Sequence, residues 1–248
     1  MPGSGSESFD KLRSHLIANA TVRREIETAY AFLLARANPS DRAARFVFGG
    51  ASEWIVAASA WSAGVLTTPQ GHNANGYDLA ELLTQSRGLW SVKTASARKP
   101  GEWRITNGLG DAGKGFEEPT LFVHKDLGGF LYIDPAAEPE VKQQQIKKRD
   151  AYTLPFKVTK AFADSHPENL ARLDLPVNEG QAVVEAYTFE RELLAPNAFP
   201  NLSRIFVETT PLPITLTDEI RRLNDMAQDG SISQQERDDA IARLLRDH

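Results

Sequence analysis

The chain has no cysteine, which removes disulfide frameworks, zinc–thiolate sites, iron–sulfur ligation and cysteine nucleophiles, and leaves the redox compartment open. Its five histidines, His15, His72, His124, His166 and His248, never fall into an HExxH or other close ligand spacing, which disfavours a zinc hydrolase. No G-x-S-x-G elbow marks a serine hydrolase. No stretch approaches the roughly 18 apolar residues of a membrane span. The N-terminal MPGSGSESFDKLRSHLIANA carries early acids and no sustained apolar core, unlike a signal peptide. A soluble, cytoplasmic protein without membrane contact is the expectation. What is present suffices for a real core: 41% of the 248 residues are hydrophobic and 25% charged, enough for one large domain with a small appendage. The formal charge of −5, from 28 basic and 33 acidic residues, carries no global nucleic-acid signature but permits a local basic cleft.

Along the chain, Leu12, Leu16, Ile17, Ile26, Tyr30, Leu33 and Leu34 recur at helical spacing, on two helices broken near Asn19 to Thr21. Gly49 and Gly50 read as punctuation before an alanine-rich helix, ASEWIVAASAWSAG, with Ser52 as cap and Glu53 in the first turn. TTPQGHNANG, residues 67 to 76, reads as a loop rich in breakers. Tyr77 to Leu83 and Leu89 to Ala97 then suggest a hairpin around Gly88, although DLAELL alone reads equally as helix. Further strands are expected at Trp103 to Thr106, Leu121 to Val123 and Phe130 to Ile133, and EVKQQQIKKRD beyond Pro139 reads as a polar basic helix. Gly180 to Leu194 has an amphipathic helical pattern, and SRIFVE around Phe206 a strand-like one. Strands cluster in the middle and helices at the ends, giving an α/β or α+β layer arrangement. The expected division is a domain over 1–216 and a C-terminal helical hairpin over 217–248.

Four residues of the middle segment carry the chemistry: Glu53 on the alanine-rich helix, Asp78 at the first central strand, and Ser91 with Lys93 on the next. Positions i and i+2 of a strand share a face, so Ser91 and Lys93 point the same way. Asp78 approaches that face if the two strands pair, and Glu53 joins if its helix packs on the sheet. Two carboxylates with a lysine suit metal-assisted phosphodiester hydrolysis. Mg²⁺ takes hard oxygen ligands, here Glu53 and Asp78, and a lysine positions phosphate or water and offsets developing charge.

Residues 50 to 135 resemble the PD-(D/E)xK restriction-endonuclease-like superfamily. The likeness rests on an acid on a helix, a Gly-rich loop, GYDL at 76 to 79 and WSVKTAS at 90 to 96. It implies a central mixed β-sheet flanked by helices and Mg²⁺-dependent hydrolysis of nucleic acid. By position, Asp78 matches the first motif acid, Lys93 the lysine and Glu53 the helix glutamate, while Ser91 stands in the place of the second acid. Tyr77 replaces the family proline. Ser91 is the larger departure, since a hydroxyl is a poorer metal ligand than a carboxylate: either Glu53 supplies the missing charge, or the site has lost catalysis and keeps only binding. Chain size and resemblance together imply a restriction-type DNA endonuclease that cuts double-stranded DNA as a homodimer. The different-class alternative is a noncatalytic nucleic-acid-binding or assembly protein on the same fold.

Candidate DNA contacts follow from charge. Between Arg87 and Lys114, six basic residues (Arg87, Lys93, Arg98, Lys99, Arg104 and Lys114) face two acids, Glu102 and Asp111. Lys142, Lys147 and Lys148 belong to a second basic cluster, and His72, Asn73 and Asn75 have groups able to reach base edges. Two look-alike motifs are set aside. GLGDAGKG at 108 to 115 has Gly115 where a phosphate loop needs Ser or Thr. DMAQDGSISQQE at 225 to 236 lacks one oxygen ligand of a calcium loop at Ala227, and fits a hairpin turn at Gly230. Phe46, Phe48, Trp54, Trp61 and Trp90 read as core aromatics.

Overall fold

The computed structural model describes residues 3–36, 42–69, 77–81, 88–95, 100–105, 115–149, 151–175, 199–203, 235 and 237–238. It divides the chain into two units, Met1–Ile205 and Phe206–His248. Most of the second unit lies outside the described residues, and with it the expected hairpin over 217–248. The expected helix over Gly180 to Leu194 and the strand around Phe206 lie outside them too. In the first unit, α1 (Glu7–Ala18) starts where the Ser6 side chain accepts from the Phe9 amide. It stops at Asn19, and α2 (Ala20–Arg36) follows directly, so the expected break is present. Phe9, Leu12 and Leu16 of α1 and Ile26, Tyr30 and Leu33 of α2 are buried.

The third helix corrects the sequence reading. α3 (Arg42–Ser62) runs straight through Gly49 and Gly50, so Ser52 is an interior helical residue, fully buried, and caps nothing. A glycine inside a helix costs about 1 kcal/mol against alanine, and burial of Phe48, Ala51, Ile55, Val56 and Ala58 on the same helix outweighs that cost.

Six strands form the main sheet: β1 (Thr67–Pro69), β2 (Leu79–Glu81), β3 (Gly88–Thr94), β5 (Thr120–His124), β6 (Gly129–Ile133) and β9 (Leu170–Arg172), in the order β1-β2-β3-β5-β6-β9. β3 and β5 are parallel and every other neighbouring pair antiparallel. The sheet is therefore mixed, and the fold is α/β. β4 (Glu102–Ile105), β8 (Tyr152–Pro155) and β7 (Ile146–Lys147) make a second, three-stranded sheet. One face of the main sheet meets the N-terminal helices, with Phe9 stacked on Tyr132 and Tyr30 edge-on to Phe130. On the other face Phe122, Leu131 and Ile133 pack with Trp103, Leu154 and the Phe162 of α5 (Phe156–Ser165). Trp103 is fixed there by its indole N–H, which donates to Thr159 Oγ1 at 2.9 Å.

Three further expectations are revised. Thr67–Pro69 opens the breaker-rich stretch as an edge strand, since its partner β2 offers a ladder to residues that local chemistry would leave in a loop. The expected strand Tyr77 to Leu83 is ordered as a strand only over Leu79–Glu81 among the described residues. EVKQQQIKKRD is not one helix: α4 (Pro139–Gln143) ends early, and Ile146–Lys147 instead pairs with β8. Among the described residues, no helix is long and apolar enough to cross a membrane.

Candidate active site

β3 explains most of the site. Trp90 and Val92 are buried on one of its faces, so alternation turns Ser91 and Lys93 to the other. In register, Lys93 stands beside Phe122 of β5, which belongs to the face covered by the second sheet. On the opposite flank, β2 pairs with β3 through Leu79 and Trp90, with an irregularity between Leu79 and Ala80. Asp78 lies just before β2 begins at Leu79, outside the strand it was expected to open, although the Asp78 amide still donates to the Trp90 carbonyl at 3.1 Å. The amides of Ser91 and Ala95 donate toward β5, so the Val92 amide points toward the flank that β2 has left. The Asp78 carboxylate fills that place: its Oδ2 accepts from the Val92 amide at 2.6 Å.

The same oxygen takes two further donors. Ser91 Oγ donates to Asp78 Oδ2 at 2.8 Å and Lys93 Nζ at 3.1 Å, and Lys93 Nζ also donates to Ser91 Oγ at 2.8 Å. The three side chains form a closed triangle. Ser91 is buried, whereas the Lys93 and Asp78 side chains keep 15% and 26% of their surface in solvent, so the ion pair is open at one side.

Glu53 approaches from α3, which packs on β1 and β3. It is half-buried. Burial pushes its carboxyl up to about 7, the Asp78 charge adds to the rise, and Lys93 opposes it. Glu53 is therefore within electrostatic reach of both. All four expected residues are brought together. Among the described residues, no group of three or more histidines, aspartates and glutamates is placed to hold a metal. The oxygen donors at hand are Glu53, Asp78 and the Ser91 hydroxyl.

Sequence reasoning missed the Val92 amide, because a backbone donor has no side-chain signature; only the shortness of β2 betrays it. The basic residues expected to meet DNA divide differently. Arg104 is exposed on β4. Lys142 pairs with Glu117 at 2.5 Å and Lys148 with Glu102 at 2.5 Å, while Lys147 lies 5.8 Å over the Tyr152 ring. His72, Asn73, Asn75, Arg98, Lys99 and Lys114 lie outside the described residues, as do the motif over 108 to 114 and residues 225 to 234 of the calcium-like loop. Phe48, Trp61 and Trp90 are buried as expected.

No family model, no curated protein and no solved structure matches this chain.

Proposed function

We propose that the protein is a Mg²⁺-dependent DNA endonuclease of restriction-endonuclease-like fold, acting in the cytoplasm as a homodimer that cuts both strands of a duplex. The observation that carries the reading is the convergence of Lys93 on Asp78 at 3.1 Å with Glu53 close enough to feel both charges. A mixed sheet flanked by helices is also what the resemblance implies.

The donor set fits the ion. Mg²⁺ takes one or two carboxylates and fills its remaining positions with water and substrate phosphate. Glu53 and Asp78 would hold it, and the burial and neighbouring charge that disfavour ionised Glu53 are what a cation relieves. When bound, the ion polarises a phosphoryl oxygen and lowers the pKa of water. The chain's own residues supply the rest. Lys93 presents its ammonium to the scissile phosphate or the attacking water and offsets charge as it develops. Ser91 sets the distance between Asp78 and Lys93 by bonding to both, and the Val92 amide keeps the Asp78 carboxylate oriented. With a neutral Ser91, Glu53 is the second negative charge.

A noncatalytic nucleic-acid-binding protein is the second reading, favoured by the same triangle: with Ser91 between them, Asp78 and Lys93 satisfy one another without an ion. Purified protein incubated with modified and unmodified DNA separates the two. Cleavage in Mg²⁺ that EDTA stops, and that Asp78→Ala and Lys93→Ala lose, supports the nuclease. Binding without cleavage across a broad substrate set favours the second reading.

A further inference from the structure

At the far edge of the main sheet lies a cavity of about 510 Å³ lined by Arg23, Arg24 and Glu27 of α2, by Gly128 after β5, and by Arg172 and Asp174 at the exit of β9. Among the described residues, no ion pair joins any of the three guanidinium groups to a carboxylate. The lining sets three guanidinium groups against two carboxylates, Glu27 and Asp174, which leaves a net positive charge, and Glu27 Oε1 accepts from the Asp174 amide at 2.9 Å. That bond ties α2 to the strand exit and holds Arg23 and Arg24 opposite Arg172. The arginines on α2 stand at the end of its first turn, which contains no acid. Positive charge against the positive end of a helix is unfavourable, and an anion in the cleft would relieve it. Planar guanidinium forks match the paired oxygens of phosphate.

The cleft is also placed for a ligand that spans the molecule. β3 and β5 run parallel, so Lys93 and the turn after β5 lie toward the same end of the sheet. Lys93, Phe122, Leu131 and Leu170 form one row across the strands, and Arg172 lies two residues beyond that row. Three strand spacings across and two residues along put its backbone about 16 Å from that of Lys93. This corresponds to about five base-pair steps of B-DNA.

We propose that the Arg23–Arg24–Arg172 cleft binds phosphate, and that the phosphate belongs to the backbone of the same DNA held at Asp78 and Lys93. The DNA assignment rests on the nuclease reading; the affinity for phosphate does not. Arg24 and Arg172 are exposed, so the combined Arg24→Ala and Arg172→Ala protein keeps the fold, which circular dichroism checks, and Arg172→Glu alone is the second variant. Duplex binding is measured by fluorescence anisotropy in EDTA between 50 and 200 mM salt, and inorganic phosphate binding by calorimetry. The expected result is a salt slope lower by about two in the double variant, at about 0.9 per contact, weaker duplex binding by Arg172→Glu, and loss of phosphate binding in both. Unchanged affinity and slope overturn the proposal. So does phosphate binding by a wild-type protein that never binds duplex, which would make the ligand a small phosphate compound. Loss of duplex binding in the variants, beside a wild type that binds but never cleaves in Mg²⁺, supports the cleft while rejecting the nuclease.

Discussion

Asp78 Oδ2 is the acceptor on which the site depends, because three donors from consecutive residues of β3 end on it. Replacing Asp78 by alanine leaves a backbone amide, a hydroxyl and an ammonium without this acceptor, at about 1–3 kcal/mol for a group that water cannot reach. Lys93 is partly solvated and keeps Ser91 Oγ as an acceptor, so most of the loss falls on the Val92 amide and the buried Ser91 hydroxyl. Asp78→Ala is expected to lower stability by about 1–3 kcal/mol in urea titrations and, if the proposed activity holds, to cut the cleavage rate by at least about 10²-fold. Glu53 behaves in the opposite sense. Its carboxyl lies at about 7 in the fold against an ordinary 4.5, so its ionisation opposes folding. The contribution is fully present below pH 4.5 and is lost as the pH rises through 7. Wild-type protein should lose up to about 3 kcal/mol between pH 5 and pH 8 relative to Glu53→Gln, as read from chemical denaturation at the two pH values. Added Mg²⁺ should stabilise the wild type more at pH 8 than at pH 5, and Glu53→Gln less at either. At this scale much was legible. The two-residue spacing of Ser91 and Lys93 gave their shared face, whereas the convergence on a single oxygen required knowing where β2 begins.

Along α3 the sequence misled because glycine pairs usually punctuate. Gly50 is an interior helical residue, and a methyl group there would meet nothing within 4 Å. Gly50→Ala is therefore expected to raise stability by about 0.5–1 kcal/mol, visible as an upward shift in melting temperature. Gly129 is the contrast. It begins β6 at a φ of 141°, and a Cβ there would collide with the Ala171 carbonyl oxygen across the β6–β9 pair. Gly129→Ala should destabilise by more than Gly50→Ala stabilises, and an increase in melting temperature would contradict the account of this strand edge. The strands Thr120–His124 and Phe130–Ile133 were legible because uninterrupted apolar runs mark strands buried on both faces. β7 and the Thr67–Pro69 strand were not, since each is two or three residues long and exists through its partner. The helix over Phe156–Ser165 was hidden among prolines, with Pro155 directly before it where no amide is needed.

The parallel pairing of β3 with β5 is the feature of the whole molecule that sequence could least supply, because 25 residues separate Thr94 from Thr120 and no local pattern names the partner. Yet that pairing sets Lys93 beside Phe122 and orients the sheet so that the site and the arginine cleft lie toward a common end. Every described residue of both belongs to Met1–Ile205, which makes truncation informative. Residues 217–248 contain eight acids and five bases, so their removal takes the formal charge of the chain from −5 to −2. The chain 1–216 retains the helices and both sheets described above, including the core around Trp90 and Trp103. It should therefore unfold cooperatively, followed by tryptophan fluorescence, and, if the proposed activity holds, lose any Mg²⁺ response on Asp78→Ala, as is expected of the full chain. If the proposed DNA binding holds, less negative charge repels the phosphate backbone, so its affinity for duplex at low salt should equal or exceed that of the full chain, and the difference should shrink toward 200 mM salt as screening shortens the reach of the field. A truncated chain that stays folded yet binds duplex more weakly at low salt would mean that the C-terminal residues contribute contacts of their own, outweighing the repulsion their net charge implies.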